Sequence, residues 1–389
     1  PKGVTMRFEF ATATRIIFGR GVVKDIGSIV EKMGHRAFVV TGRSAERAQP
    51  LMGQLKDIGM AVTHFSIPEE PTTQLALEAV EKARQPNCDL VIGMGGGSVL
   101  DTSKVVAALL TNNGPLMDYL EVIGNGRPLE QKSAPCVAIP TTAGTGTEVT
   151  SNSVLGSPEH RVKVSMRSPY KLPDLALVDP QLTYSMPPGL TAVTGLDAFT
   201  QLLEAFVSAH ANPLTDGICR EGLQRAARAL KRVYLDGSDA AAREDMCLAS
   251  LFGGLALANA KLGAVHGLAG PLGGMYHAAH GGLCAALLPL VMAANISALE
   301  SRIANSATLD RYDEVARIIT GSPDAQAKDG ITWVGNLCRQ LQIKPLAAYG
   351  VEEKEFTVIA EKACNASSMK GNPVELTKDD LLGILQEAL

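Results

Sequence analysis

The sequence predicts an α/β domain at residues 1–187 followed by an all-helical domain at residues 188–389. From residue 15 to about residue 187, short β-branched runs alternate with helical patterns, which is typical of βαβ units around a mostly parallel sheet. Pro187-Pro188-Gly189 then interrupts the chain, and beyond it the pattern is helical. A chain of 389 residues, 46% of them hydrophobic, is long enough for two cores.

The composition excludes several classes of protein. The net charge is −4 and the charges of both signs are interspersed, so no basic stripe is available for nucleic acid. We find no apolar stretch that resembles a membrane span and no secretory leader, so we expect no membrane association. The seven cysteines are scattered without a CxxC pair, which indicates reduced thiols and a cytoplasmic protein.

In the first domain, hydrophobic β-branched runs predict strands at residues 16–18, 37–41, 61–65, 90–92 and 136–139. Helical periodicity predicts helices at residues 22–33, 73–84 and 99–110, the first of them closed by Gly34. The alternation of strands and helices is the pattern from which we infer the parallel sheet.

A glycine-rich loop, Gly93-Met-Gly-Gly-Gly-Ser98, lies between a predicted strand and a predicted helix. Glycines in that context let backbone amides approach a phosphate at the positive end of the helix. We therefore predict a pyrophosphate cradle. The pattern has Ser98 where the dinucleotide fingerprint has its last glycine, and a purely structural turn is the alternative. On the helix that follows, an internal ion pair is the default explanation of Asp101 and Lys104.

Two further polar segments follow predicted strands. Residues 140–148, PTTAGTGTE, offer four hydroxyls beside two glycines, and a hydroxyl-capped turn is the alternative to nucleotide binding. Gly42, Arg43 and Ser44 follow the strand at residues 37–41, where an open α/β sheet binds its ligands. Several such loops at one edge favour a nucleotide cleft.

The second domain is predicted to contain helices at residues 191–210, 213–233, 240–260, 282–299, 309–319, 325–341, 354–363 and 378–388. The first of these carries Asp197, Gln201 and Glu204 at spacings of four and three, which places them on one face. A carboxylate on that face can reach a metal, and a solvated polar stripe is the alternative. We expect Trp333, the only tryptophan, to pack in the helical core.

Residues 264–282, AVHGLAGPLGGMYHAAHGG, place three histidines within fifteen residues. A helix carrying His266, followed by a small-residue turn and a return to His280, aims two imidazoles at a common point. Neutral imidazole is a common ligand of zinc and of iron-type metals, so this segment predicts a metal site. Ordinary polar residues in a tight turn are the alternative.

The chain resembles the iron-containing (group III) alcohol dehydrogenase family in five stretches, which are GGGSVLDTSK (95–104), PTTAGTGTEVT (140–150), LVDP (177–180), GLDAFTQLLEAFVS (195–208) and AVHGLAGPLGGMYHAAHGGLCAALLP (264–289). The match spans nearly the whole chain in order. It implies the dehydroquinate synthase-like fold of this family, with the active site and the metal in the cleft between the domains. It also implies oxidation of alcohols and reduction of aldehydes or ketones with NAD(H) or NADP(H), and a homodimer or larger homo-oligomer.

The resemblance also implies roles for individual residues. It assigns the cofactor pyrophosphate to Gly96, Gly97, Ser98 and Val99. It assigns the rest of the dinucleotide to Thr141, Thr142, Gly144, Thr145, Asn152 and Lys163. Gly42, Arg43, Ser44 and Asp101 complete the predicted cofactor site.

Members of the family bind their metal with an aspartate, a histidine four residues later and two histidines fourteen apart. Asp197, His266 and His280 fill three of these places, and Gln201 stands in the fourth. A glutamine oxygen is a weaker donor than imidazole. Either Gln201 or water completes the shell of a more weakly held ion, or His277 does, or the protein works without a metal. We expect Fe²⁺, with Zn²⁺ as the alternative.

Two more positions differ from the family. Gly270 stands where members carry a histidine that relays protons, so another group or a chain of waters has to take that part. Gly42 stands where NAD-preferring members have an acid that repels a 2′-phosphate, and Arg43 is beside it. This difference favours NADP(H), although Glu70 replaces an asparagine that usually touches the cofactor.

The leading hypothesis is reversible hydride transfer between a nicotinamide and a small carbonyl compound, with an ion at Asp197, His266 and His280 polarising the carbonyl oxygen. Alternatives within the family are a maleylacetate reductase, which needs no metal, and a hydroxyacid–oxoacid transhydrogenase. A lyase of the dehydroquinate synthase type and a non-catalytic cofactor-binding protein are the alternatives from other classes.

Overall fold

The computed structural model describes residues 7–276, 278–303 and 306–389. Its main sheet has six parallel strands in the order β1-β8-β5-β4-β2-β3, and β6 and β7 form a separate antiparallel hairpin. The strands are β1 (Arg15–Phe18), β2 (Arg36–Thr41), β3 (Ala61–Ser66), β4 (Leu90–Gly95), β5 (Cys136–Pro140), β6 (Asn152–Ser157), β7 (Val162–Arg167) and β8 (Leu175–Val178).

Helices cover both faces of the main sheet, which is why its strands are apolar on both sides. They are α1 (Ile26–Val30), α2 (Gln49–Asp57), α3 (Thr73–Arg84), α4 (Gly97–Thr111) and the short α5 (Leu116–Tyr119). Along β2, Phe38 and Val40 pack in the apolar cluster that contains α3 and α4. Ala37 and Val39 alternate with them and pack in the cluster that contains α1 and α2.

The second part of the chain is helical. Its helices are α6 (Pro188–Val207), α7 (Pro213–Leu235), α8 (Ala240–Ala260), α9 (Ala264–Met275), α10 (His280–Arg302), α11 (Ala307–Thr320), α12 (Ala327–Gln340), α13 (Phe356–Cys364) and α14 (Lys378–Ala388). Helix α6 packs against α7, α8 and α10 and lies at the centre. Trp333 stacks on Phe199 of α6 with ring centroids 5.9 Å apart, as expected for a core tryptophan.

The predicted fold class is confirmed, and most of the predicted elements end within three residues of the observed ones. The sequence did not predict the β6–β7 hairpin. Its inward residues, Leu155, Val164 and Met166, are buried in the cluster that contains α3 and α4. The seven cysteines are free thiols and six of them are buried, as predicted, whereas Cys364 is exposed.

The expectation that no apolar stretch resembles a membrane span was wrong. By length and composition alone, α6 and α10 are apolar enough to cross a membrane. Inside the protein, however, 83% and 67% of their most apolar 18-residue windows are buried. Their hydrophobic surface therefore forms the core of the helical part.

The loop after β5 is in backbone contact with α8. Gly146 has a φ of 60°, in the left-handed region that glycine adopts readily. A Cβ built on Gly254 of α8 would lie 2.7 Å from the Cα of Gly146. The loop and the helix can approach this closely only because neither residue has a side chain.

We expect Gly254→Ala to lower the free energy of unfolding by about 1–3 kcal/mol, because the added methyl group meets backbone that cannot move aside cheaply. Denaturant unfolding measures the change. Gly383→Ala on α14 is the matched control, since a Cβ there meets nothing within 4 Å. The control should be stabilised by about 0.5–1 kcal/mol, and an equal response of both variants would contradict the contact.

Candidate active site

Four potential metal ligands converge in the helical part of the chain. Asp197 comes from α6, His266 from α9, and His280 and Cys284 from α10, and their ligand atoms all lie within 4.8 Å of one another. Helix α10 begins at His280, soon after α9 ends at Met275, and the imidazoles of His266 and His280 meet with ring centroids 5.4 Å apart. The structure thus brings together the three residues that the sequence singled out.

Glu204 holds the ring of His266. Its Oε2 lies 2.6 Å from His266 Nδ1, and its Oε1 accepts a hydrogen bond of 2.7 Å from the amide of Val265. A ring whose Nδ1–H donates to a carboxylate presents its Nε2 lone pair on the other side. The sequence placed Glu204 on the correct helix face but did not identify this partner, which is 62 residues away.

On that other side, His266 Nε2 lies 3.4 Å from Asp197 Oδ1. Both atoms are buried, and neither has a hydrogen-bond partner within the described part of the chain. Two buried acceptors that face each other are unfavourable unless a proton or a cation lies between them. The residues present therefore fit a divalent cation.

His280 and Cys284 complete the cluster from successive turns of α10. His280 Nε2 lies 3.9 Å from Asp197 Oδ1 and 3.6 Å from Cys284 Sγ. About a third of the His280 side chain is exposed, so the cluster opens to solvent on this side. The sequence prediction missed Cys284, although the i, i+4 spacing from His280 places both side chains on one helix face.

The charges of these groups influence one another strongly. Burial alone would raise the pKa of Cys284, but His280 and His266 lower it below its usual value. Burial alone would lower the pKa of His266, yet the Cys284 thiolate and the Asp197 carboxylate raise it well above the ordinary value. The carboxyl of Asp197 also has a lowered pKa, because the two imidazoles outweigh its burial.

Gln201 lies beside the cluster with its amide nitrogen turned inward. Nε2 donates to Asp197 Oδ2 at 3.2 Å and lies 3.4 Å from the carbonyl of Thr145. Its Oε1 faces Gly253, where an added Cβ would be 2.9 Å away. Oε1 is buried without a hydrogen-bond partner among the described residues, and the role of Gln201 as the fourth ligand stays a prediction. His277, the other predicted substitute, lies outside the described residues.

The two loops predicted to bind the dinucleotide touch each other. A Cβ on Gly96 would lie 3.3 Å from Thr142 Oγ1, and one on Gly97 would lie 2.9 Å from Thr145 Cγ2. Helix α4 begins at Gly97 without a side-chain cap, so the first backbone amides of the helix are available to an anion.

Asp101 and Lys104 form the internal ion pair that was their default explanation. Lys104 Nζ lies 3.3 Å from Asp101 Oδ1, and Asp101 Oδ2 accepts a hydrogen bond from the amide of Val154. Lys104 also donates to the carbonyl oxygens of Thr147 and Asn152, so this pair anchors the second loop. Both carboxylate oxygens of Asp101 are therefore engaged within the protein. This geometry does not support the predicted contact of Asp101 with the cofactor.

Lys163 and Glu70, two positions predicted at or beside the cofactor site, meet each other. Their Nζ and Oε2 atoms are 2.7 Å apart, and the lysine is largely buried while the glutamate is exposed. Lys163 also packs against α9, since a Cβ on Gly273 would lie 3.1 Å from its Nζ. The hairpin is thus connected to the helix that carries His266.

At the end of β2, the backbone of Gly42 is held by Ser66, whose hydroxyl donates to the Gly42 carbonyl at 2.8 Å. Arg43 is exposed and donates one hydrogen bond to the carbonyl of Pro68. Across the described residues, Arg43 has no acidic partner. Its guanidinium is therefore free to meet an anion.

The second loop also contacts the helix that carries Asp197. A Cβ on Gly144 would lie 2.7 Å from the Cβ of Thr194, one turn before Asp197. The candidate nucleotide loops and the ligand cluster are thus parts of one site. A doubly wound sheet binds nucleotides at the carboxyl ends of its strands, so this arrangement indicates a nucleotide-dependent enzyme with a candidate metal site beside the nucleotide loops.

Comparison with known proteins agrees with this class. The family model described as iron-containing alcohol dehydrogenase matches residues 13–180, and the model for the C-terminal part of the Fe-containing alcohol dehydrogenase family matches residues 191–389. The chain belongs to the iron-containing alcohol dehydrogenase family. It is an NAD(P)-dependent alcohol dehydrogenase that acts on small-molecule alcohols and aldehydes, and the family implies a metal.

Similar proteins match over most of their length. Long-chain-alcohol dehydrogenase 1 of Geobacillus thermodenitrificans is 37% identical over 86% of this chain and 84% of its own length. Alcohol dehydrogenase 4 of Saccharomyces cerevisiae is 32% identical over 95% of this chain and 96% of its own. The crystal structure of a 1,3-propanediol oxidoreductase superposes with a TM-score of 0.91 at 30% identity, over 99% of this chain and 100% of that one.

Glu148 is the one acidic residue of the second loop, residues 140–148, and it is buried. It is 2% exposed, and burial raises its pKa to about 7, although Lys104 nearby acts in the opposite direction. The folded protein therefore keeps a proton that the unfolded chain releases from pH 4.5 upward. Because the folded protein binds this proton more tightly than the unfolded chain does, the stability contributed by protonated Glu148 is lost as pH rises from about 4.5 to about 7.

We expect Glu148→Gln to remove this dependence. Relative to the wild type, the variant should gain about 3 kcal/mol in its free energy of unfolding between pH 4.5 and pH 7. Above pH 7 the difference between the two proteins should stay constant. Urea unfolding across this range measures the difference, and the value at the acid end is the internal control. A difference that is independent of pH would show that Glu148 is ionised in the folded protein.

Proposed function

We propose that this dehydrogenase transfers hydride between NADP(H) and a small alcohol or aldehyde, with a divalent cation held by Asp197, His266 and His280. In this proposal residues 1–187 bind the dinucleotide and residues 188–389 supply the metal site. The observation that carries it is the pair of buried acceptors, Asp197 Oδ1 and His266 Nε2, which face each other at 3.4 Å. A cation resolves that conflict and places a Lewis acid beside the loops that favour a nucleotide.

The chain's own residues have distinct parts in this proposal. Glu204 orients His266 and keeps its Nε2 free for the ion. The Gly96 to Val99 turn and the Thr141 to Thr145 segment hold the pyrophosphate and the rest of the dinucleotide. A bound ion would polarise the substrate oxygen, and the nicotinamide would accept or supply the hydride.

Gly270 leaves room for water near the cluster. It lies one turn after His266 on α9, and a Cβ built there meets nothing within 4 Å. A water in that space would replace the proton-relaying histidine implied by the family resemblance.

The relatives described above are named for a long-chain alcohol and for 1,3-propanediol, so we propose an alcohol or aldehyde substrate without fixing its length.

For the cellular setting, we propose a cytoplasmic homodimer or larger homo-oligomer. The support for the reducing compartment is the set of seven free thiols. The support for the oligomer is membership of the family. Analytical ultracentrifugation of the purified protein would contradict the second part by showing a monomer at micromolar concentration.

The proposed preference for NADP(H) depends on Arg43. We expect Arg43→Ala to reduce kcat/KM for NADPH by about 10–100-fold, the loss of one charge-assisted hydrogen bond, with little change for NADH. Arg47→Ala is the matched control, because Arg47 is exposed on the same edge and donates to the carbonyl of Leu182. Equal losses with both cofactors would refute a contact with the 2′-phosphate.

The metal is tested by its removal. Aldehyde reduction should be lost after treatment with a chelator and should return with added divalent ion. Glu204→Gln should need about 10–100-fold more free metal for the same recovery, because outer partners of ligating histidines tune affinity by that much. Glu221→Gln, a surface change on α7, should need no more than the wild type. Reduction that survives complete metal removal would favour the metal-independent, maleylacetate reductase-like alternative.

A further inference from the structure

We propose that Cys284, and not Gln201, is the fourth ligand of the metal cluster, although Gln201 occupies the family's fourth ligand position in the sequence. The thiolate of Cys284 makes this a Zn²⁺ site rather than an Fe²⁺ site. The inference rests on the proposed function, since it requires an ion at Asp197, His266 and His280. It concerns a residue to which neither the sequence prediction nor the family resemblance gave a role.

Two of the distances within the cluster match the edges of a tetrahedral site. Bonds of about 2.0–2.1 Å to nitrogen and oxygen and about 2.3 Å to sulfur give tetrahedron edges of about 3.4 Å between N and O and about 3.6 Å between N and S. His266 Nε2 and Asp197 Oδ1 are 3.4 Å apart, and His280 Nε2 and Cys284 Sγ are 3.6 Å apart. A third edge, 3.9 Å, joins Asp197 to His280 on the open side, and all four ligand atoms lie within 4.8 Å of one another.

Gln201 is a poor candidate for the same position because of its neighbours. Its amide nitrogen faces two acceptors, Asp197 Oδ2 and the carbonyl of Thr145. Turning the amide over would direct its oxygen at both of them. As placed, Gln201 instead donates to the carboxylate whose other oxygen, Oδ1, faces the cluster, so it orients Asp197 as a ligand.

Cys284 also differs from the other buried thiols whose contacts are described. Cys338 donates to the carbonyl of Ala285, and Cys247 lies near the hydroxyl of Thr183, which are ordinary arrangements for a core thiol. Cys284 Sγ instead faces the Nε2 of His280, and it belongs to the same cluster as the unpartnered atoms of Asp197 and His266. Those unpartnered atoms are the independent sign that a cation belongs between them.

The change from an amide to a thiolate alters the choice of ion. A harder amide oxygen has little preference for soft metals, whereas thiolate with imidazole in a tetrahedral arrangement is the ligand type of zinc. The chain therefore retains the position of the family's metal but offers a different set of donors. Zn²⁺ is not redox active, and a Lewis acid in this site needs no redox change.

The test is cobalt substitution of the full-length protein, because Co²⁺ bound by thiolate shows a charge-transfer band in the near ultraviolet. Apo protein is titrated with Co²⁺, and metal content is measured in parallel. The wild type should bind one ion and develop the band. Cys284→Ser should lack the band, and its affinity for Zn²⁺ should fall by at least about tenfold, since even outer partners are worth about 10–100-fold.

Two control variants separate the possibilities. Gln201→Leu should keep the band per bound cobalt ion, because Gln201 orients Asp197 but is not a ligand. Cys364→Ser should also keep it, since that exposed thiol is the one that could bind cobalt adventitiously. Loss of the band in Gln201→Leu that still holds one cobalt ion, or in Cys364→Ser alone, would overturn the assignment.

X-ray absorption of the Zn²⁺-loaded wild type gives the answer without a variant that might not fold. One sulfur at about 2.3 Å among nitrogen and oxygen neighbours at about 2.0–2.1 Å is the expected first coordination shell. A bound ion without sulfur would overturn this inference and leave the proposed function intact. Failure to bind Co²⁺ or Zn²⁺ at all would overturn the metal site itself, and with it both proposals.

Discussion

The site is built around polar groups that are buried together where helices α6, α9 and α10 meet. Asp197 Oδ1 and His266 Nε2 face each other at 3.4 Å without a partner among the described residues, and Glu204 fixes the imidazole so that its lone pair points inward. Without an ion, an additional proton on His266, whose pKa is raised by the neighbouring anions, lies between these two atoms, and a divalent cation can take the place of that proton. The central position of α6 and the return of the chain from α9 to α10 bring the donors together.

The second candidate nucleotide loop contacts helix α6, which carries Asp197 of the ligand cluster. Gly144 approaches Thr194 on the same helix as Asp197, and the carbonyl of Thr145 lies next to the amide of Gln201. Gly146 rests on α8, while Lys104 holds the other side of the loop through backbone oxygens. Because these contacts join the sheet to the helical part, a nucleotide bound by the loops would lie next to the ion.

Much of the fold could be predicted because the signals are local. Buried β-branched runs predicted the first five strands of the parallel sheet, and apolar periodicity with terminal caps predicted the helices. The hairpin and the site partners could not be read in this way. The inward turn of Gln201 depends on Thr145, 56 residues earlier, and Glu204 meets a histidine 62 residues later. Cys284 was not predicted because it lies outside the ligand positions that the family resemblance implies, although its i, i+4 spacing from His280 places both on one helix face.

We infer that residues on α6, α9 and α10 enclose one divalent cation. Crystals of the protein grown with Zn²⁺, measured at the zinc absorption edge, test it directly. We expect a single strong anomalous peak within bonding distance of Asp197 Oδ1, His266 Nε2 and His280 Nε2. A fully occupied zinc elsewhere, with no peak between these three atoms, would contradict it.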